Sequence, residues 1–180
     1  MTPQSASLMS HYNRWMKQRM YEAALSLPEA EVVRDRGAFF GSIYLTLNHI
    51  AVGDTVWLHR FAQHEGMSAL RADMAAFAVP TSLRQALAPS LQGLHAYRQA
   101  LDAVIERWAG TLTPVLLSST LTYRNMAGQA SSRCLGHLVQ HFFNHQTHHR
   151  GQVSTLLFQA GVDVGMTDLL GVIPQEPNAS

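Results

Sequence analysis

Five of the chain's ten histidines fall within thirteen positions of the segment HLVQHFFNHQTHHRGQ, residues 137–152: His137, His141, His145, His148 and His149. Neutral imidazole is the commonest metal-ligating side chain, and residues four apart on a helix stand about 6 Å from one another on one face. The chemistry on offer is therefore ion binding. The row His137, His141, His145 and His149 cannot close on one ion, because twelve helical steps of about 1.5 Å span roughly 18 Å. At most one adjacent pair serves one metal.

The phase of the helix selects that pair. At about 100° per residue, Leu135, Leu138, Val139, Phe142, Val153, Leu156 and Leu157 define an apolar sector about 100° wide. His149 falls inside it, His145 lies roughly 40° away at its edge, and His141 another 40° or so further round. His137 and His148 point toward the opposite side and read as solvated helix residues, as do His11, His59, His64 and His95. His141 is expected either to flank the site or to bind substrate. Two imidazoles alone rarely hold zinc or nickel against water, so a third ligand is expected from another helix. The candidates are His49 and Asp54. Asp54 shares the sector of Ile43, Ile50 and Trp57, where an unpaired carboxylate is expensive, whereas His49 lies with Leu45 and Val56 on a second stripe. Periodicity leaves the two equal.

The elements that must position these residues are four long helices. The first runs from about Ser5 to Leu27, the second from Phe39 to His64 with two apolar stripes and so two packing partners, and the third from the Ser82 region to Ala109, irregular near Pro89. The fourth runs from about Ser132 to Ala160 and closes at Gly161. Between the third and fourth, Thr120, Thr122 and Tyr123 followed by Asn125 to Gly128 predict a short β-hairpin. The tail carrying Pro174 and Pro177 is expected to be irregular and frayed at its end. The fold class is all-α: a four-helix bundle with one hairpin.

Composition bounds the rest. With 180 residues, 47% of them hydrophobic, the chain is expected to form a single domain over residues 1–180. Charged residues make up only 14%, which points either to thorough burial within the fold or to an apolar surface shared with another subunit, so homo-oligomerisation is an expectation. A formal charge of +1 without a dense Lys/Arg run favours neither nucleic acid nor an anionic membrane as partner. Cys134 is the only cysteine, which excludes an internal disulfide and a four-thiolate site and leaves it as a small core residue. No leader and no membrane span is legible, so the cytoplasm is the expected address.

Four segments together are similar to the DinB-like family: YNRWM at 12–16, TLNHIAVGDTVWLHRF at 46–61, TYRNMAG at 122–128 and HFFNHQTHHRGQ at 141–152. The resemblance covers nearly the whole chain. It implies a four-helix bundle, commonly dimeric, whose metal centre uses three histidines. Residue by residue, it implies His49 from the NH pair and His145 and His149 from the HxxxHRGQ segment. Asp54 then becomes a supporting residue, expected to pair with Arg14 or the Trp15 indole or to orient a ligand imidazole. The extra histidines at 137, 141 and 148 depart from the family pattern.

Three neutral imidazoles would leave a dicationic zinc or nickel ion with an open position, the arrangement of a catalytic site. Such an ion can activate a water or a thiol. Members of the wider superfamily that this chain resembles act as thiol S-transferases or thiol-dependent isomerases, which implies a small-molecule substrate and a low-molecular-weight thiol. The alternative is a non-catalytic metal-binding or stress-response module. Around the ligands, Gln152 is expected to hydrogen-bond a bound ligand and Tyr123 to donate a proton. Gly151 is expected to mark close approach of another helix, and Arg150 to reach an acidic neighbour.

Overall fold

The computed structural model describes residues 1–176, and Pro177 lies outside the described residues. Four long helices dominate it: α1 (Pro3–Leu25), α3 (Ile43–Phe61), α5 (Leu91–Thr111) and α7 (Leu135–Gln159). Three short ones intervene: α2 (Glu29–Val33), α4 (Ser68–Met74) and α6 (Pro114–Ser118). The chain is mostly helical, with one two-stranded antiparallel sheet. Its strands β1 (Thr120–Arg124) and β2 (Ala130–Cys134) pair Thr120 with Cys134 and Arg124 with Ala130.

Hydrogen-bonding side chains set the helix starts. Thr2, Ser42 and Ser90 each accept a bond from the backbone N–H three residues on, satisfying an otherwise orphaned donor at the head of α1, α3 and α5. Three of the expected boundaries are corrected by these caps and their neighbours. The second long helix begins at Ile43 rather than Phe39, because Gly41 takes a left-handed φ of 87° and hands over to the Ser42 cap. The third begins at Leu91 rather than near Ser82, since Pro89 precedes its cap and residues 81–88 form a loop. The fourth begins at Leu135 because Ser132 to Cys134 are consumed by β2. Gly161, with φ of 85°, closes α7 as expected.

α1 packs on α5 and α7, and α3 packs on α7 and α5. Their apolar faces form two clusters. One gathers Leu58, Phe61, Leu101, Trp108, Phe142 and Phe143; the other gathers Met16, Met20, Ile43, Ile50, Leu94, Val153 and Leu157. A layer of buried polar groups stands between the two along α3, α5 and α7: Asp54 between Ile50 and Leu58, Arg98 between Leu94 and Leu101, Gln146 between Phe143 and Val153. Leu45, expected to share a buried stripe with His49 and Val56, is exposed one turn into α3.

The segment after α7 is irregular as expected apart from one 3-10 turn, yet its described part is packed on the helices. It returns along α1, where the Tyr12 hydroxyl donates to the Thr167 carbonyl and the Arg19 guanidinium to that of Val164 at 2.8 Å. Leu169–Val172 then make a 3-10 turn against α1. No helix of the described residues is long and apolar enough to cross a membrane.

Candidate metal centre

α3 and α7 lie side by side, and each turns imidazoles toward the other. His49 of α3 meets His145 and His149 of α7 with ring centroids 5.3 Å and 4.6 Å away, while the two α7 rings are 4.4 Å apart. One nitrogen from each ring falls within 4.8 Å of the others, the one such His, Cys, Asp or Glu group among the described residues. His49 and His149 are buried, and His145 is half-buried at the edge, as the helical phase predicts. Three nitrogens about 2.0–2.1 Å from a tetrahedral ion stand roughly 3.4 Å apart, a spacing inside the 4.8 Å within which these three lie.

Two of the rings are oriented through their other nitrogen. His149 Nδ1 lies 2.8 Å from Gln152 Oε1, and His49 Nδ1 lies 3.4 Å from the Leu83 carbonyl. Both partners are acceptors here, which assigns the proton to Nδ1 and leaves Nε2 as the lone-pair donor. The loop that carries Leu83 is fastened to α3 a few residues on by Asn48, whose side chain donates to the Gln85 carbonyl and accepts from the Leu87 N–H. Burial, with repulsion from neighbouring rings, lowers the pKa of all three histidines; that of His145 falls to about 4, although Asp54 partly offsets the burial. At neutral pH all three are neutral bases, the form a metal requires.

The match to the DinB family model runs over residues 1–178. The chain belongs to the DinB family. It is also 26% identical to Protein DinB of Bacillus subtilis (strain 168) over 158 residues, 87% of each chain. No solved structure matches it.

The DinB-family chain surrounds its histidines with residues the sequence did not single out. Phe40 stacks on His49 with ring centroids 3.9 Å apart and meets His149 edge-on at 5.5 Å. The sequence pattern absorbed it into a helix; it sits instead in a loop closed by the Arg36 N–H to Gly41 carbonyl bond. Gly53 is the second. A Cβ at this position would lie 2.8 Å from His145 Cε1, so glycine is what lets the ring approach α3. A glycine amid an otherwise good helix was the available signal.

Asp54 is the clearest correction. It does not meet Arg14, which pairs with Glu106, nor the Trp15 indole. Fully buried, it accepts from Lys17 Nζ at 2.9 Å, Arg98 Nη1 at 2.6 Å and Gln146 Nε2 at 2.9 Å, and Arg98 bridges on to Asp102 at 2.6 Å. Burial alone would raise its pKa, but Lys17 and Arg98 outweigh it and hold the carboxyl below its usual range. The network ties α1, α3, α5 and α7 together one helical turn from the triad.

His141 flanks the triad without joining it, exposed, 6.2 Å from the His145 ring and 5.2 Å from Trp57. His137 and His148 are exposed, as expected, whereas His59, His64 and His95 are half-buried rather than solvated. Gln152 bonds the His149 ring itself, which makes it a residue that supports a ligand imidazole rather than one that contacts a bound molecule. Tyr123 is buried against Trp57 and Arg60, off the triad. Gly151 is exposed and a Cβ there would meet nothing within 4 Å, so no helix approaches it. Arg150 finds an aromatic face rather than an acid, lying 4.5 Å over Tyr12 and donating to Thr147. Cys134 is half-buried at the end of β2, not a core residue.

Proposed function

We propose that His49, His145 and His149 hold a divalent metal ion, zinc or nickel, and that the protein is a metal-dependent enzyme acting on a small molecule, a thiol S-transferase or hydrolase. The observation that carries this reading is the convergence of three neutral imidazole rings with one nitrogen each within 4.8 Å, the Nδ1 of two of them facing a hydrogen-bond acceptor. Three protein ligands are the number a catalytic site uses, leaving room for a fourth group. The ion would supply Lewis acidity, lowering the pKa of a thiol or water brought to it. Phe40 covers the His49 face and keeps water from that side, Gln152 fixes the His149 ring, and Gly53 admits the His145 ring.

One observation favours a non-catalytic metal-binding or stress-response module as the second reading. Asp54, whose charge reaches all three rings, is saturated by Lys17, Arg98 and Gln146 and has no freedom to act as a general base. We further read the four long helices as a bundle in a cytoplasmic homodimer. Exposed Phe39 and Phe158 are the apolar side chains that a second copy would cover, and sedimentation of the tag-free protein tests this.

Metal content of tag-free protein tests the site directly. One equivalent per chain is expected, falling to near zero in His49→Ala and His149→Ala; unchanged loading in both variants removes the proposal. Cobalt-substituted protein then separates the two functional readings. A sulfur-to-cobalt charge-transfer band on adding a low-molecular-weight thiol supports the thiol enzyme, and a spectrum indifferent to thiols favours the module.

A further inference from the structure

Away from the triad, the far end of α3 borders a cavity of about 540 Å³ lined by both apolar side chains and arginines. Its apolar wall includes Val56, Val79, Pro80 and Met126, and three guanidinium groups, Arg60, Arg71 and Arg124, line it as well. Among the described residues none of the three forms an ion pair with a carboxylate. Arg71 donates to the carbonyls of Ala62 and His64, and Arg124 to that of Gly128. Arg60 donates no hydrogen bond to any described residue; its charge rests 4.7 Å over the Trp57 ring and 5.1 Å over Tyr123.

Cations beside an apolar cavity are normally matched by acids, since a half-buried guanidinium facing no anion gives up hydration without compensation. Elsewhere in this chain several are matched by acids, Lys17 and Arg98 by Asp54 and Asp102, Arg14 by Glu106, Arg36 by Glu31 and Arg107 by Asp73; Arg19 and Arg150 lie over aromatic rings as Arg60 does, but each also donates a hydrogen bond, to the Val164 carbonyl and to Thr147. Burial lowers the pKa of Arg60, partly offset by Tyr123, which reflects a cation short of an anion. The aromatic pair holds the guanidinium in place without using its N–H donors, and a carboxylate is the group that accepts from them in pairs. An apolar wall and a fixed, unmatched cation select the same class of molecule.

We propose that this cavity binds an anionic amphipathic small molecule, with its carboxylate on Arg60 and its apolar body against Val56, Val79 and Met126. Trp57, which supports Arg60, also meets His141, but no residue of the triad lines the cavity. The site stands on its own residues and does not depend on what the triad holds.

Calorimetric titration with decanoate, and with decanamide as its neutral counterpart, tests the proposal on the full chain, with and without a chelator. Saturable one-to-one binding of decanoate is expected, at least tenfold tighter than decanamide and unchanged by the chelator. Arg60→Gln should weaken decanoate at least tenfold. Val79→Glu should do the same by placing a negative charge on the rim, and because Val79 is 61% exposed that variant retains the fold, which circular dichroism verifies. Arg14→Gln, remote and already paired with Glu106, should bind as the parent does. Equal affinity for the amide, full affinity in Val79→Glu, or binding abolished by the chelator, which would put the anion at the triad, overturns the proposal.

Discussion

His49 and Asp54 sit five residues apart on α3, both buried, yet the groups around them are built to opposite ends. Asp54 belongs to a closed region, in which two carboxylates meet Lys17 and Arg98 and the positive and negative charges balance. His49 belongs to an open one, where three uncharged rings bring lone pairs together and nothing in the chain answers them. A closed ionic layer gains registry, since each helix must be at one height for its charge to find its partner. An open cluster of bases has no such internal reward, and it persists because the surrounding helices are already held. The layer ties four helices; the triad uses two of them.

Removing a charge from the closed region should produce the largest effect. Asp54→Ala leaves Lys17 and Arg98 buried without their shared partner and should cost about 3–5 kcal/mol in denaturant unfolding. His49→Ala in metal-free protein should cost far less. If the two variants unfold alike, the contrast between the regions fails.

The next effect is proton-linked. His145 is held near pKa 4 when folded, against 6.5 in the unfolded chain, so the unfolded state binds more protons between those values. Stability of the metal-free protein should therefore be fully present above pH 6.5 and fall by a few kcal/mol as pH drops toward 4. His145→Ala should flatten that loss, which thermal melts across the range would reveal.

Metal should stabilise the open region alone. At a hundred times its Kd, zinc or nickel should raise unfolding stability by about 2.7 kcal/mol in the parent and by nothing measurable in His149→Ala. Gly53→Ala drives a methyl group into His145 and should cost about 1–3 kcal/mol while weakening metal binding; an unperturbed variant would mean that the His145 ring has room to move away. The smallest change belongs to Gly151→Ala, an exposed mid-helix site with open space around it. It should gain about 1 kcal/mol and leave metal content untouched.

The periodicity of α7 was legible because burial follows a simple angular rule, and it placed His149 inside and His145 at the edge correctly. The family resemblance preferred His49 over Asp54, which wheel angles could not do. Phe40 was not legible, because an apolar residue next to a helix start fits the helix pattern as well as a loop, and only the Gly41 turn separates the two. Lys17 and Arg98 were missed for a related reason. Each occupies a buried position on its helix, but a long cationic side chain reads as solvent-facing unless the acid that neutralises it is known.

From sequence alone came the helical class, the hairpin, the family and the three histidines, all of them properties of local period or motif. Tertiary structure decided what each polar residue meets: Asp54 with Lys17 and Arg98, Gln152 with the His149 ring, Gly53 with His145, Arg60 with no acid at all. Periodicity states which face of a helix is buried, but the partner across the interface depends on the height and rotation of the facing helix. Those are settled only when all four helices pack at once.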